Sequence, residues 1–190
     1  MSRALFTAAL VIVAGCASDD AAAPETTAPV TSSPTMSSTT AVPTTTTSGV
    51  TPTGFDPVAG EVTAADGEVC AVCLWVAGTP EQRSRGLMGV TDMGGANGMV
   101  FLFEGESTSA FWMRDTPTPL SIAFFDAAGA FVSATDMEPC LEAAAEVCPR
   151  YHADGAYTSA IEVRQGDLGE LLIGPGSRFE LLDTPCEPGR

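Results

Sequence analysis

The stretch "SAFWMRDTPTPLSIAFFD", residues 109–126, sets Trp112, Met113, Arg114 and Asp115 side by side. Pro117 and Pro119 follow, and an apolar run closes it. "SAFWMRD" (109–115) and "LSIAFFD" (120–126) read as two short strands around a double-proline turn. Alternation on the first places Phe111, Met113 and Asp115 on one face and Trp112, Arg114 and Thr116 on the other.

Outward from this segment the same grain continues. "EVCAVCLWVAG" (68–78) is rich in strand formers, with Glu68, Cys70, Val72, Leu74 and Val76 on one face. "GMVFLFE" (98–104), "FVSATDM" (131–137), "AYTSAIEV" (156–163) and "RFELLD" (178–183) read as further strands, and "DAAGA" (126–130) as a hairpin connection. Thr79 and Gln82 make a capping box with Pro80 at the first helical position, which predicts a short helix from Pro80 to about Leu87. "QGDLGELL" is at most a helical turn. Short, closely spaced strands with so little helix predict an all-β domain, a mainly antiparallel β-sandwich or small barrel with one or two short helices.

The domain does not fill the chain. Residues 1–15 carry Arg3, a short apolar run and small residues leading to Cys16; the run is too short to span a bilayer, so a processed signal is expected. "VAGC" resembles the bacterial lipoprotein signal, in which the cysteine is acylated and becomes the mature N-terminus. Residues 16–56 are dominated by Thr, Ser, Pro and Ala, with too little apolar mass to offset the entropy of ordering, and read as a stalk. As a flexible coil, ~40 residues would hold the domain ~35 Å from its anchor. Residues 57–190 then form one β-rich domain, and the expected location is extracytoplasmic, on a bacterial membrane, through lipid on Cys16.

The formal net charge is −16. The domain from residue 57 has 20 acidic residues against 7 arginines, and the chain has no lysine. No basic patch is available for phosphate, which excludes nucleic acid as a partner and leaves membrane association to the anchor. Lipid on Cys16 leaves five cysteines, an odd number. Cys140 and Cys148 are expected to bridge across their loop, and Cys186 to bridge Cys70 or Cys73, with preference for Cys70 at the strand's start. Cys70 and Cys73, three apart on a strand, point to opposite faces and should not join each other. With one histidine, His152, and no second close cysteine pair, no metal site and no cofactor are expected.

"TPEQRSRGLMG", "GMVFLF", "FWMRDT", "PL-IAFFD", "G-FV", "PC…CP-Y" and "IEV" recur in this order in domain-of-unknown-function family 192, which the chain resembles over residues 70–183. The resemblance implies a small β-rich fold of jelly-roll type, often exported or lipid-anchored, and brings no established activity, ligand or catalytic residue. Where the family usually has Lys-Asn after "FWM", this chain has Arg114-Asp115. Where it often has Pro-Leu-Asp, this chain has Pro119-Leu120-Ser121.

The opening segment has two readings. In the first, Trp112 caps the core and Arg114 pairs with Asp115 or Asp126, since aromatic-rich strands are usually core. In the second, Trp112, Arg114, Asp115 and Thr116, with Arg83 from the helix, line a pocket for a small anionic or planar ligand. The functional expectation is a ligand-binding or envelope-accessory module. Its rivals are a hydrolase or other enzyme acting on envelope material, using Arg114, Asp115 and His152, and a purely structural interaction domain.

Overall fold

Pro80 follows a threonine cap, and the short helix α1 (Pro80–Arg85) forms there with both arms of the capping box made. The Thr79 hydroxyl accepts from Gln82 N, and the Gln82 amide oxygen accepts from Thr79 N. The structure, a computed structural model, describes residues 49–142 and 144–189. The expected signal, Cys16 and the expected stalk up to residue 48 lie outside the described residues.

Seven strands build the domain: β1 (Asp56–Thr63), β2 (Val69–Ala77), β3 (Gly98–Ser107), β4 (Leu120–Phe125), β5 (Phe131–Met137), β6 (Tyr157–Arg164) and β7 (Arg178–Pro185). They form one sheet in the order β5-β4-β6-β3-β2-β1-β7. Every neighbouring pair is antiparallel except β2–β3, whose parallel pairing needs the crossover through α1 and the loop carrying Gly94 and Gly95. Register shifts in β1, β3 and the β4–β5 pair add twist. The sheet curls until its outer strands meet at one end, where Ala130 and Arg178 make a single bridge. This is the all-β class expected, as one mixed sheet that stops short of a closed barrel.

Alternation feeds two apolar clusters. Met99, Phe101, Ile122 and Phe124 go to one, with Leu87, Met113 and Tyr157; Val100, Ala123, Phe125, Ile161 and Val163 go to the other, with Leu74 and Phe179. β4 is buried at all six positions because both its faces are covered. Each such Phe or Ile contributes about 1.5–3 kcal/mol relative to exposure.

Three expectations are corrected. Residues 109–115 are not a strand: they contact neighbours through single bridges, Phe111 to Tyr151 and Arg114 to Cys140. Asp115 turns to φ 52, and the two following prolines lack N–H donors, so no ladder can propagate. Folding begins before residue 57. Val50 O accepts from Thr91 N and Asp92 N, and Phe55 is buried. Strand β1, carrying Pro57, Ala59 and Gly60, was not legible from propensity.

The third correction concerns cysteine pairing. Cys140–Cys148 is bridged as expected, but Cys186 joins Cys73 and not Cys70. Cys70 turns inward beside Val72 and Leu74. Cys73 occupies the other face, opposite Ala59 of β1, and the end of β7 follows β1 to it, with Cys186 N donating to Pro57 O. Among the described residues no helix is long and apolar enough to cross a membrane. The disulfides Cys73–Cys186 and Cys140–Cys148, both between described residues, fit an oxidising, extracytoplasmic environment.

Candidate functional site

The segment 111–116, denied a ladder, is held by backbone bonds on both sides. Gly89 N donates to Asp115 O at 2.7 Å, and the Thr118 hydroxyl donates to Val90 O at 2.9 Å, which fastens it to the turn after α1. Across from these, Cys140 N donates to Met113 O and Asp115 N to Cys140 O, while Phe111 and Tyr151 exchange two bonds of 2.9 Å. Gly86 ends α1 with φ 46, and a Cβ there would lie 3.2 Å from the Phe101 ring, so only glycine brings this turn down onto the sheet.

Between α1 and the 111–116 segment lies a cleft of about 300 Å³ walled by Arg83, Phe101, Phe103, Phe111 and Trp112. Its rings meet edge to face, Phe101–Phe111 at 5.0 Å and Phe103–Phe111 at 6.4 Å between centroids. A narrow pit of about 40 Å³ shares Arg83, Phe101, Phe111 and Trp112 with the cleft, and on its sheet side stands Glu162.

Glu162 belongs to β6, an inner strand, and pairs across to Met99 of β3 and Ile122 of β4, both fully buried. It is 4 % exposed. Its carboxyl makes no hydrogen bond or ion pair with any described residue, so its remaining exposure is toward the pit that it lines. Burial disfavours the charged form and pushes its pKa up to about 8. The two arginines on the pit's lining are held elsewhere. Arg83 Nη1 donates to Gly78 O at 2.6 Å and Leu102 O at 2.9 Å, with its guanidinium over Phe103. Arg85 donates to the Thr53 carbonyl and lies over Phe55. Gly98, at the start of β3, leaves room for the Glu162 backbone, since a Cβ there would collide with the Glu162 carbonyl.

Of the residues singled out from sequence, Arg83, Trp112 and Thr116 converge on the pit. Arg114 and Asp115 do not line it. They pair with each other at 3.3 Å near the surface, with side chains 41 % and 59 % exposed. His152 is exposed in its loop, and no described residues form a group of three or more His, Cys, Asp or Glu placed to hold a metal ion. Sequence reasoning missed Glu162, Phe101 and Phe111. A signal for Glu162 existed: it is the single charge in the apolar run "AIEV" of a strand that proves to be central. A wider groove of about 580 Å³ runs beside β7 and the β4–β5 turn. Its charged residues (Glu61, Asp126, Arg178 and Glu180) all keep solvent contact, so it offers no comparable chemistry.

Two solved structures share this fold. A protein of Sinorhizobium meliloti 1021, described as a proposed transcription regulator, is 22% identical with a TM-score of 0.59, covering 68% of this chain and 97% of that one. A protein of unknown function from Novosphingobium aromaticivorans DSM 12444 is 25% identical with a TM-score of 0.57, covering 75% of this chain and 99% of that one. No curated protein matches the chain. The model of one family, described as an uncharacterized ACR, matches residues 61–181, and with that match the chain belongs to domain-of-unknown-function family 192.

Proposed function

We propose that this protein is a lipid-tethered extracytoplasmic binding module that takes a small ligand into the cleft between α1 and Trp112, with Glu162 as the polar anchor. One observation carries the reading. A carboxyl without a partner occupies the middle of an apolar sheet face, where methionine or leucine would avoid the desolvation cost. Groups kept against stability in this way gather at functional sites. The aromatic walls supply the apolar surface that such a ligand would bury. Disulfides fit the compartment, and acylation of Cys16 with the stalk would supply the tether.

Native mass spectrometry of the full chain, extracted in mild detergent, tests the site. Wild type should carry a small molecule that Ser84→Trp, which fills the mouth of the cleft, does not. An equal load on both proteins, or none on wild type, would count against the cleft. The tether is tested separately with a palmitate analogue, which should label wild type and not Cys16→Ala.

The enzyme reading retains one supporting feature, a carboxyl that holds a proton at neutral pH and could act as a general acid. It lacks the second group. Asp115 and His152 lie outside the cleft, and Glu162 is the one carboxylate among the described residues lining cleft and pit.

A further inference from the structure

The binding reading leaves open which chemical group meets Glu162. Resting on that reading, we infer that the ligand is a planar monocarboxylate whose carboxylate enters the pit and accepts a hydrogen bond from the Glu162 carboxyl, its ring or apolar body lying among Phe101, Phe103, Phe111 and Trp112.

Three features distinguish this class from an organic cation. The first is the charge around the pit. The protein as a whole is strongly acidic, yet among the described residues the charged side chains lining the pit besides Glu162 are two arginines, Arg83 and Arg85. A cation would have to pass both, whereas an anion is drawn in. The second is the state of those arginines. Each is held at the rim by backbone carbonyls and an aromatic ring, so neither neutralises Glu162, which enters the pit as a donor. The third is size: the pit has room for a head group only, while the adjoining cleft has about 300 Å³ for a flat body.

Among the described residues, the groups facing Glu162 are few. From α1 and the turn after it they are Arg83 and Arg85. From β3 and β4 they are the uncharged Met99, Phe101 and Ile122. From the 111–116 segment the lining residues Phe111, Trp112 and Thr116 carry no charge. A carboxyl with a pKa near 8 is the group facing this pit that titrates between pH 6 and 9, so the pH dependence of binding reports it.

The experiment titrates the full chain in mild detergent with benzoate and, separately, with benzylammonium, at pH 6 and pH 9. It follows the indole and arginine side-chain resonances in wild type, Glu162→Gln and Ser84→Trp. Benzoate should bind wild type at pH 6 and about tenfold more weakly at pH 9, where Glu162 has lost its proton. Glu162→Gln, a donor that does not ionise, should bind benzoate with the same affinity at pH 6 and pH 9. Ser84→Trp should bind neither probe. Benzylammonium binding that exceeds benzoate and tightens at pH 9 would overturn the carboxylate assignment and leave the cleft as a binding site. An unchanged benzoate pH dependence in Glu162→Gln would overturn the role given to Glu162. No response to either probe in wild type at either pH would overturn the assignment, and if wild type also carries no co-purified molecule, the binding reading falls with it.

Discussion

Arg150 stacks on Trp112, its guanidinium carbon 3.7 Å from the ring centre, while Arg114, two residues from the indole in sequence, stands 5.7 Å away. The nearer arginine arrives from the far side of a disulfide. It follows Cys148 and Pro149, and the next residue, Tyr151, pairs with Phe111. The aromatic wall of the cleft is thus set by the loop that Cys140 and Cys148 close.

Arg150→Ala should therefore disturb that wall more than Arg114→Ala. The loss expected from the exposed cation–π contact is about 0.5–1 kcal/mol, read by urea denaturation. The Trp112 indole resonance should shift in Arg150→Ala and stay near its wild-type position in Arg114→Ala, whose salt bridge with Asp115 is exposed and worth little. A larger shift in Arg114→Ala would reverse the assignment.

Glu162 should leave a signature in the pH dependence of stability. Its folded pKa, about 8, lies above the ordinary 4.5, so between those values the native state holds more of the proton than the unfolded chain does. The contribution is fully present below pH 4.5 and is lost as pH rises through 8, at no more than about 1.4 kcal/mol per pH unit. Glu162→Gln should remove this slope. Its stability relative to wild type should increase from pH 5 to pH 9, measured by urea denaturation at each pH. Glu162→Met should be more stable than wild type at pH 8 while losing the benzoate binding proposed for the cleft. Parallel pH profiles for wild type and Glu162→Gln would contradict the unpartnered carboxyl.

The two disulfides between described residues should differ in what they stabilise. Cys73–Cys186 spans 113 residues and Cys140–Cys148 spans 8. Loop-closure entropy predicts losses of about 4–5 kcal/mol for Cys186→Ser and about 2–3 kcal/mol for the Cys140→Ser, Cys148→Ser double variant. The shorter bridge carries the wall, so its removal should weaken the benzoate binding proposed for the cleft by more than its stability cost implies. Peptide mapping without reduction should recover Cys186 joined to Cys73; recovery with Cys70 would refute the pairing.

Gly86→Ala would force a side chain into φ 46 and against the Phe101 ring. A loss of about 1–3 kcal/mol is expected from the backbone strain, together with displacement of Phe101 in the cleft. Wild-type stability would mean that the turn after α1 is softer than its geometry implies.

Much of the fold was legible because its signals are local. The capping box at Thr79 and Gln82, the hairpin at 126–130 and the apolar runs that became β2, β3, β4, β5, β6 and β7 act over a few residues, and each formed. β1 was not legible because it takes its strand form from pairing with β2 and β7, which its Pro, Ala and Gly do not announce. The segment 109–115 had strand composition, but no neighbour offers it more than single bridges.

By itself, then, the sequence determined an all-β domain with few basic groups, cysteines suited to an oxidising compartment, and a segment that joins arginine to aromatic residues. Tertiary structure decided which of those residues act together. Cys73 and not Cys70 meets Cys186 because strand pairing settles which face β2 turns toward β7. "IEV" is an ordinary strand fragment until β6 lies between β3 and β4. Only then do two neighbouring strands and the turn after α1 strip the Glu162 carboxyl of most of its water, leaving it open only toward the pit and without a partner among the described residues. This burial, which no local residue pattern encodes, makes it the chemical centre of the cleft.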